Sequence, residues 1–590
     1  MCGITAIFAY GRGAPPVDAT ELQAIHGAMR PRGPDDEGAW LSPERHVGLA
    51  HRRLAIIDLS PGGHQPMASD DGVCVLTYNG EIYNFQALRH ELEQQGHRFR
   101  SQSDTEVLLH LYARDGVEMV RHLRGMYAFA LWDAQKGGML LARDPLGIKP
   151  LYYADDGSTL RVASQVKALR AGGHAGTSAS AAGRVGFFLW GHVPEPFTLY
   201  RDIHALPAGT TMWVDANGAG RPRPFWSVRD ALGTAAQPLE SGQLRALLAD
   251  SVRHHFVADT PVGLFLSAGV DSAVLAAFSA AEQGADLRTL TLSFDVRDER
   301  APDEAPAAER LARMLGVRHE TRRATAASFA DTRDALFAAM DQPTIDGINT
   351  YFVARAARDI GLKVALSGLG ADEIFGGYAS FQQIPRTVSA LAPIRHAPFL
   401  GRAFRAVTAP VLRHMTSPKY ASLLEYGGSY GGAYLLRRGL FMPWELPDFL
   451  DGDMVREGWR DLAPLAALDD TITGLSTPRQ KVTALETCWY MRNQLLRDAD
   501  WAGMAHSVEI RVPFVDSVLI EGMAPSLASV RPPKKQDMAT VVPRPLPAEI
   551  FARPKTGFVV PVRDWLSGQS DGTEERGLRG WARQVYAAAA

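Results

Sequence analysis

Cysteine is scarce in this chain. Three residues, Cys2, Cys74 and Cys488, are too few and too scattered for a disulfide framework or a tetrahedral zinc site. Cys74 and Cys488 stand among apolar neighbours and read as buried small hydrophobes. No apolar run reaches about 18 residues, so no membrane span, and no membrane partner, is expected. A net charge of -3 offers no electrostatic case for nucleic acid as a partner. The opening Met-Cys-Gly-Ile-Thr-Ala-Ile-Phe has no basic segment followed by a long apolar core, so a secretory signal is not expected and the cytoplasm is the expected location. What is present is a globular composition, 46% hydrophobic and 22% charged, in a chain long enough for roughly two or three domains.

One stretch stands out, Leu264 to Ala273. It starts as an apolar run, turns through Ser267, Ala268 and Gly269, and passes into the helical composition of Val274 to Phe278. A strand, a tight loop and a helix N-terminus present backbone N–H groups to an anion, and phosphate is the natural guest. No Gly-Lys-Ser/Thr follows the glycine, so the loop is not a Walker A sequence. Ser267-Ala268-Gly269-Val270-Asp271-Ser272 instead resembles the Ser-Gly-Gly-x-Asp-Ser loop of ATP-pyrophosphatases, which adenylate a carbonyl or carboxyl oxygen. Ala268 replaces a glycine there, which is tolerable if its φ is negative.

Cys2 needs separate treatment. Removal of Met1, which a small second residue permits, would make it the first residue and put its α-amine beside its sulfur. An α-amine titrates near about 8, so its neutral form can serve as the base for an N-terminal nucleophile.

Cys2 is followed by a series of segments: Arg32-Gly33-Pro34-Asp35, Leu49 to Asp58, Tyr78-Asn79-Gly80-Glu81-Ile82-Tyr83-Asn84, Ser103 to Glu106, Gly125 to Asp133, Arg143 to Tyr152, and Leu206-Pro207-Ala208-Gly209. In this order they resemble the class II, N-terminal-nucleophile glutaminase domain, which has an αββα fold. The resemblance implies that Cys2 attacks the γ-amide of glutamine while Asn79 and the Gly80 N–H stabilise the oxyanion. It implies that Arg53 pairs with the α-carboxylate and that Asp104, helped by Glu81, receives the α-ammonium. Leu54, Ala55, Ile56 and Ile57 complete the implied glutamine site.

The expected domains are 1–215 for the glutaminase, 216–237 for a linker of Asp, Asn, Gly, Pro and Arg without periodicity, and 238–590 for the second domain. In the second domain a helix is expected with Leu244, Leu247, Leu248 and Val252 on one face. Strands are then expected at Val262 to Leu266, Arg288 to Phe294 and Lys363 to Leu366. They alternate with helices at Ala307 to Leu315, Thr332 to Met340 and Tyr351 to Ile360. This pattern predicts a doubly wound α/β fold with a parallel sheet and ligands at the carboxyl ends of its strands. The loop after Leu366, Ser367-Gly368-Leu369-Gly370-Ala371-Asp372, is therefore the second place for a ligand. Asp271 and Asp372 together suit Mg²⁺ bridging to phosphate oxygens, although each could instead cap the helix that follows it.

With Val193-Pro194-Glu195-Pro196, Met504 to Asp516 and Arg553 to Phe558, this half resembles the synthetase domain of glutamine-hydrolysing asparagine synthetases. The resemblance implies ATP held by Phe265, Ser267, Gly269, Asp271, Ser272, Leu292, Ser367 and Gly368, with Lys555 over the phosphates. It also implies glutamine and a carboxylic acid as the other substrates, and a homodimer as the assembly. Ammonia from the first domain would be captured by an acyl-adenylate in the second, through a dry passage between them. Some members of the family carry Glu where this chain has Leu369, and a leucine can neither accept a proton nor hold an ammonium group. Either a neighbour such as Glu373 substitutes and the acceptor is aspartate, or the acceptor is another carboxylate, such as a sugar acid, a natural-product intermediate or a peptide. A third reading is a vestigial glutaminase, against which stands the intact set Cys2, Arg53, Asn79 and Asp104. No motif marks about 385 to 478.

Overall fold

A computed structural model describes residues 2–294, 303–393, 398–415, 417–552 and 578–589. The amino-terminal half is two antiparallel sheets laid face to face. One is built around Gly3–Ala9, paired with Val47–Arg53 on one side and Thr159–Ala163 on the other. The other is built around Cys74–Ile82, Gly125–Asp133 and Gly138–Arg143. Alternation along the strands sends Ile4, Ala6, Phe8, Val75, Ala128 and Trp132 into the layer between the sheets. Helix Ala19–Ala28 covers the outer face of the first sheet and Asp104–Asp115 that of the second. This is the expected αββα arrangement.

The carboxyl-terminal half contains a five-stranded sheet whose neighbours are all parallel. The strands lie in the order Arg318–Ala324, Arg288–Phe294, Val262–Phe265, Val364–Leu366, Glu509–Arg511. Helices cover both faces, Val270–Gln283 and Ala305–Leu315 packing in one apolar cluster and Ile348–Asp359 in another. The first strand of this sheet, Val262–Phe265, lies beside the later Val364–Leu366. The chain order therefore reverses between them, and the crevice for a ligand opens above that point.

The expected strands and helices of this half are found within a few residues of their predicted ends. The helix predicted from Thr332 begins earlier, as Ala326–Ala339. Two strands were not expected. Arg318–Ala324 is a polar edge strand, and Glu509–Arg511 is short, charged and fully buried. The connecting stretch also has more structure than its composition indicates. Gly218–Ala219 and Arg223–Pro224 pair with Thr210–Asp215, extending the amino-terminal sheet, and helix Val228–Leu232 packs on helix Ser517–Leu527. Cys74 and Cys488 are half-buried rather than buried. The stretch without motifs is helical, including Ser380–Leu391, Pro398–Met415, Tyr430–Arg438 and Gly452–Leu462. A π-helical run, Glu486–Leu496, leads from it towards the interface between the halves.

The two halves are joined through buried ion pairs as well as apolar packing. Arg32 grips Asp500 with both guanidinium arms (2.7 and 2.9 Å). Arg124 reaches Asp516 at 2.6 Å and Asp250 at 2.7 Å. Met126, Leu146 and Ile148 of the first half share a core with Leu496, Phe514 and Val515 of the second. The apolar contacts hold the halves together, while the ion pairs require one particular docking, since an unmatched buried charge is costly.

Candidate functional site

A narrow pocket in the amino-terminal half is lined by Cys2, Arg53, Leu54, Ile56, Ile57, Gly80, Glu81 and Asp104, among others. Cys2 is held at its head by strand Gly3–Ala9 and at its side by Asn79, whose Oδ1 accepts the Cys2 N–H at 2.8 Å. Burial pushes the Cys2 thiol above its ordinary value. The Asn79 Nδ2 is buried and has no partner among the described residues. A buried donor left over beside a thiol suits an oxygen that becomes negative during reaction. Glycine is required at position 80, because a Cβ there would lie 2.2 Å from the Met126 carbonyl oxygen.

Arg53 gives its N–H groups to the carbonyls of Ile57, Asp58 and Ser60. Among the described residues it makes no salt bridge to a carboxylate, although its charge helps hold the Asp58 carboxyl low, so it can still meet an anionic substrate group. Asp104 opens helix Asp104–Asp115 and accepts from the Tyr78 hydroxyl (2.9 Å) and the Ile82 N–H (3.0 Å). Burial pushes its carboxyl up to about 6, although those two donors pull it down. Ala55 is turned to another task, its N–H donating to Asp35.

In the carboxyl-terminal half a cleft of about 1620 Å³ opens over the sheet. That volume exceeds what a drug-sized ligand needs, so a nucleotide and a second substrate can share it. The loop Ser267–Ser272 forms part of its wall, folded around the Ser272 hydroxyl, which meets the Ser267 N–H (3.1 Å) and Oγ (2.9 Å). Ala268 has no positive φ, which meets the condition for replacing glycine. Gly368 of the second loop lies so close to the first that a Cβ would stand 3.2 Å from the Ser272 N–H nitrogen. Ser267, Gly269, Asp271 and Ser272 line the cleft. Phe265, Leu292, Ser367 and Gly368 are not in its wall and sit at or near the carboxyl ends of the strands beneath.

Neither Asp271 nor Asp372 serves as a helix cap. Gly269 and Gly370 occupy the cap positions, without side-chain bonds. Both carboxylates converge instead on Lys535, whose Nζ is 2.6 Å from Asp271 and 2.5 Å from Asp372. Burial alone would lower this lysine, and the two acids more than offset it, holding its pKa above the ordinary value. Two carboxylates aimed at one cation are a donor set of the kind Mg²⁺ takes, so these residues fit the ion. Lys535 escaped the reading of the sequence because, next to Lys534, it looks like solvated surface. Lys555 lies outside the described residues.

Elsewhere in the cleft Asp346, Asn349, Tyr378, Phe381, Gln382 and Tyr490 form the wall. Burial raises the Asp346 carboxyl above its ordinary value. Leu369 packs against the core and is not in the wall. Leu369 is half-buried whereas Glu373 is buried, and the link of Glu373 to the cleft is the hydroxyl of Tyr378, 2.9 Å away.

One strand connects the two places. The Arg511 Nη2 is 3.4 Å from Glu81 in the Cys2 pocket, and the Arg511 carbonyl accepts the Ser367 N–H at 2.8 Å in the second loop. Around it, Glu509 meets Arg511 at 2.7 Å and Lys149 at 3.6 Å, with all three fully buried. Burial pushes Glu81 well up, helped by the neighbouring Glu509. Glu509 itself is held low despite burial, by Lys149 and Arg511 among others.

Comparison with known proteins accounts for both halves. Residues 1–226 match the family model for a glutamine amidotransferase domain and residues 243–586 that for asparagine synthase. The chain is 33% identical to a putative glutamine-hydrolysing asparagine synthetase of Mycobacterium tuberculosis, covering 96% of this chain and 88% of that one. It is 30% identical to glutamine-hydrolysing asparagine synthetase 1 of Bacillus subtilis, over 99% and 90% of the two chains. Against asparagine synthetase B of Escherichia coli it is 35% identical over 65% and 66%.

Proposed function

The chain belongs to the glutamine-hydrolysing asparagine synthetase family, and from that premise we propose that it converts aspartate into asparagine. Glutamine is the nitrogen donor, and ATP is split to AMP and pyrophosphate. The observation that carries this reading is the sharing of strand Glu509–Arg511 by the Cys2 pocket and the phosphate loops.

In the first pocket Arg53 takes the α-carboxylate of glutamine and Asp104, with Glu81, its α-ammonium. This leaves the γ-amide at the Cys2 sulfur. The N-terminal amine takes the thiol proton, the sulfur adds to the amide carbon, and the oxyanion is met by Asn79 Nδ2 and the Gly80 N–H. Each such donor contributes about 3 kcal/mol. The amine returns the thiol proton to the amide nitrogen as the intermediate collapses, which expels ammonia and leaves a thioester that water hydrolyses to glutamate and the free thiol.

In the cleft the acceptor carboxylate attacks the α-phosphorus of ATP, with the Ser267–Ser272 loop holding the phosphates. Magnesium held by Asp271 and Asp372 would neutralise the triphosphate and steady the departing pyrophosphate. Lys535 keeps the two acids from repelling one another. Ammonia passes between the halves shielded from bulk water until it meets the acyl carbon.

A second reading has its own observation. Leu369 packs half-buried against the core outside the wall, and beside Asp346 and Arg479 the wall offers the Asn349 and Gln382 amides and the rings of Tyr378, Phe381 and Tyr490, which suit a hydroxyl-rich carboxylate such as a sugar acid. Incubation with glutamine, ATP, magnesium and a panel of acids, following AMP, pyrophosphate and glutamate, separates the two. Aspartate-dependent AMP is expected. AMP formed only with other acids supports the second reading, and ADP as product rejects both.

A further inference from the structure

Among the described residues three cations stand in the wall of the large cleft, Arg479, Lys534 and Lys535. Lys534 is exposed, and Lys535 is held between Asp271 and Asp372. Arg479 differs from both. It is half-buried, and among the described residues it makes no ion pair with a carboxylate. Its Nη2 donates to the carbonyls of Ile374 and Pro533, and its guanidinium lies 4.6 Å from the centre of the Phe381 ring. Its Nε is buried without a partner, and Nη1 makes no hydrogen bond among the described residues. Burial with no acid to offset it pushes the guanidinium down to about 10. A cation taken out of water without an acid is costly, and in the wall of a substrate cleft the missing acid is one that a substrate brings.

The seat of Arg479 indicates which acid. Arg479 is the second residue of helix Pro478–Leu485, whose start is fixed by the Thr477 hydroxyl accepting from the Gln480 N–H. From there it reaches the end of helix Ala371–Phe375, where a Cβ on Gly376 would fall 1.7 Å from Nη1. On the next residue, Gly377, a Cβ would fall 1.8 Å from the Asp372 Oδ1 and 2.8 Å from the Lys535 Nζ. Two consecutive glycines thus let Arg479 and Lys535 lie side by side, next to the acids that suit magnesium. With both acids ionised, Asp271, Asp372 and Lys535 together leave one negative charge, which a divalent cation only just turns positive. That is too little for a multiply charged phosphate group, and Arg479 is the next cation along the wall.

We propose that Arg479 holds the β- and γ-phosphates of ATP and keeps hold of them as pyrophosphate departs. The inference rests on the reaction proposed above and does not depend on which acid is the acceptor. As the acceptor oxygen bonds to the α-phosphorus, the bond from that phosphorus to the bridging oxygen breaks. Its electron pair stays on the oxygen, which becomes a charged end of pyrophosphate with no proton transferred, and a guanidinium beside it stabilises that charge. The test is calorimetry of the full chain with magnesium and inorganic pyrophosphate, and separately with AMP, for wild type, R479Q and R479K. R479Q keeps an N–H for the Ile374 and Pro533 carbonyls and loses the charge. It is expected to bind pyrophosphate roughly tenfold or more weakly than wild type with AMP affinity unchanged, and R479K to recover most of the loss. Equal pyrophosphate affinity in wild type and R479Q overturns the proposal. An equal loss of AMP affinity makes Arg479 a strut of the cleft and overturns it too, as does a higher KM for the acceptor acid with pyrophosphate affinity intact, which assigns the residue to that acid. Pyrophosphate binding is read without turnover, so failure here is distinct from failure of the reaction, which shows as a panel of acids that yields no AMP.

Discussion

The role proposed for Asp104 predicts that glutamine turnover is sensitive to acid. With its carboxyl pushed up to about 6, it is ionised at neutral pH and able to hold an ammonium group; below that value it takes a proton and loses the charge. Below that value the kcat/KM for glutamine should therefore fall by a further factor of about ten per pH unit beyond the loss from protonating the N-terminal amine, and D104N should be slow and lack this added limb. A pH profile of glutamate release checks both. Lys535 leads to a different measurement. Because its ammonium occupies the point where Asp271 and Asp372 converge, K535M should bind Mn²⁺ without nucleotide roughly tenfold or more tightly than wild type, as read by calorimetry. Residues of this kind divide by how far the sequence reveals them. Cys2, Arg53, Asn79 and Asp104 stand in recognisable segments, and the structure brings them around one pocket. Lys535 stands in none, and only the fold carries it across to the two aspartates.

At the level of elements, apolar patterning revealed the strands that are flanked by helices on both faces. Leu264, Leu290, Leu292 and Leu366 lie in such strands. Arg318–Ala324 escaped because an edge strand half in water has no apolar run to display. Glu509–Arg511 escaped for the opposite reason. Its charges are buried, and their matching partners come from the other half of the molecule, where no local pattern reaches. The Arg32–Asp500 contact is equally non-local, and it supports the nucleophile because the Arg32 Nε also donates to the Cys2 carbonyl at 2.9 Å. D500A would leave a buried guanidinium unmatched, at a cost of about 3–5 kcal/mol in urea unfolding, and glutamate release should fall with it. D500N, which keeps an acceptor for Arg32, should lose less of both.

For the whole molecule, the division into two catalytic halves was legible, and their order along the chain set the chemistry to expect. The way they dock was not, since it depends on charges paired across hundreds of residues. Function should nonetheless separate cleanly by substrate. C2A is expected to form no amide from glutamine, yet with ammonium chloride it should form AMP at the wild-type rate, because the cleft makes no use of the thiol. Parallel AMP and glutamate assays check this, and an equal loss with ammonium would mean that Cys2 supports the cleft as well.

The strand Glu509–Arg511 has a consequence for anyone dividing the gene. A fragment ending at residue 226 would retain every group proposed to hold glutamine, but Glu81 would lose the arginine opposite it and Arg32 its aspartate. Such a half-enzyme would come out of the cell either insoluble or wasting glutamine into the medium, and supplying the missing piece in trans should rescue it only where the severed faces can find each other again.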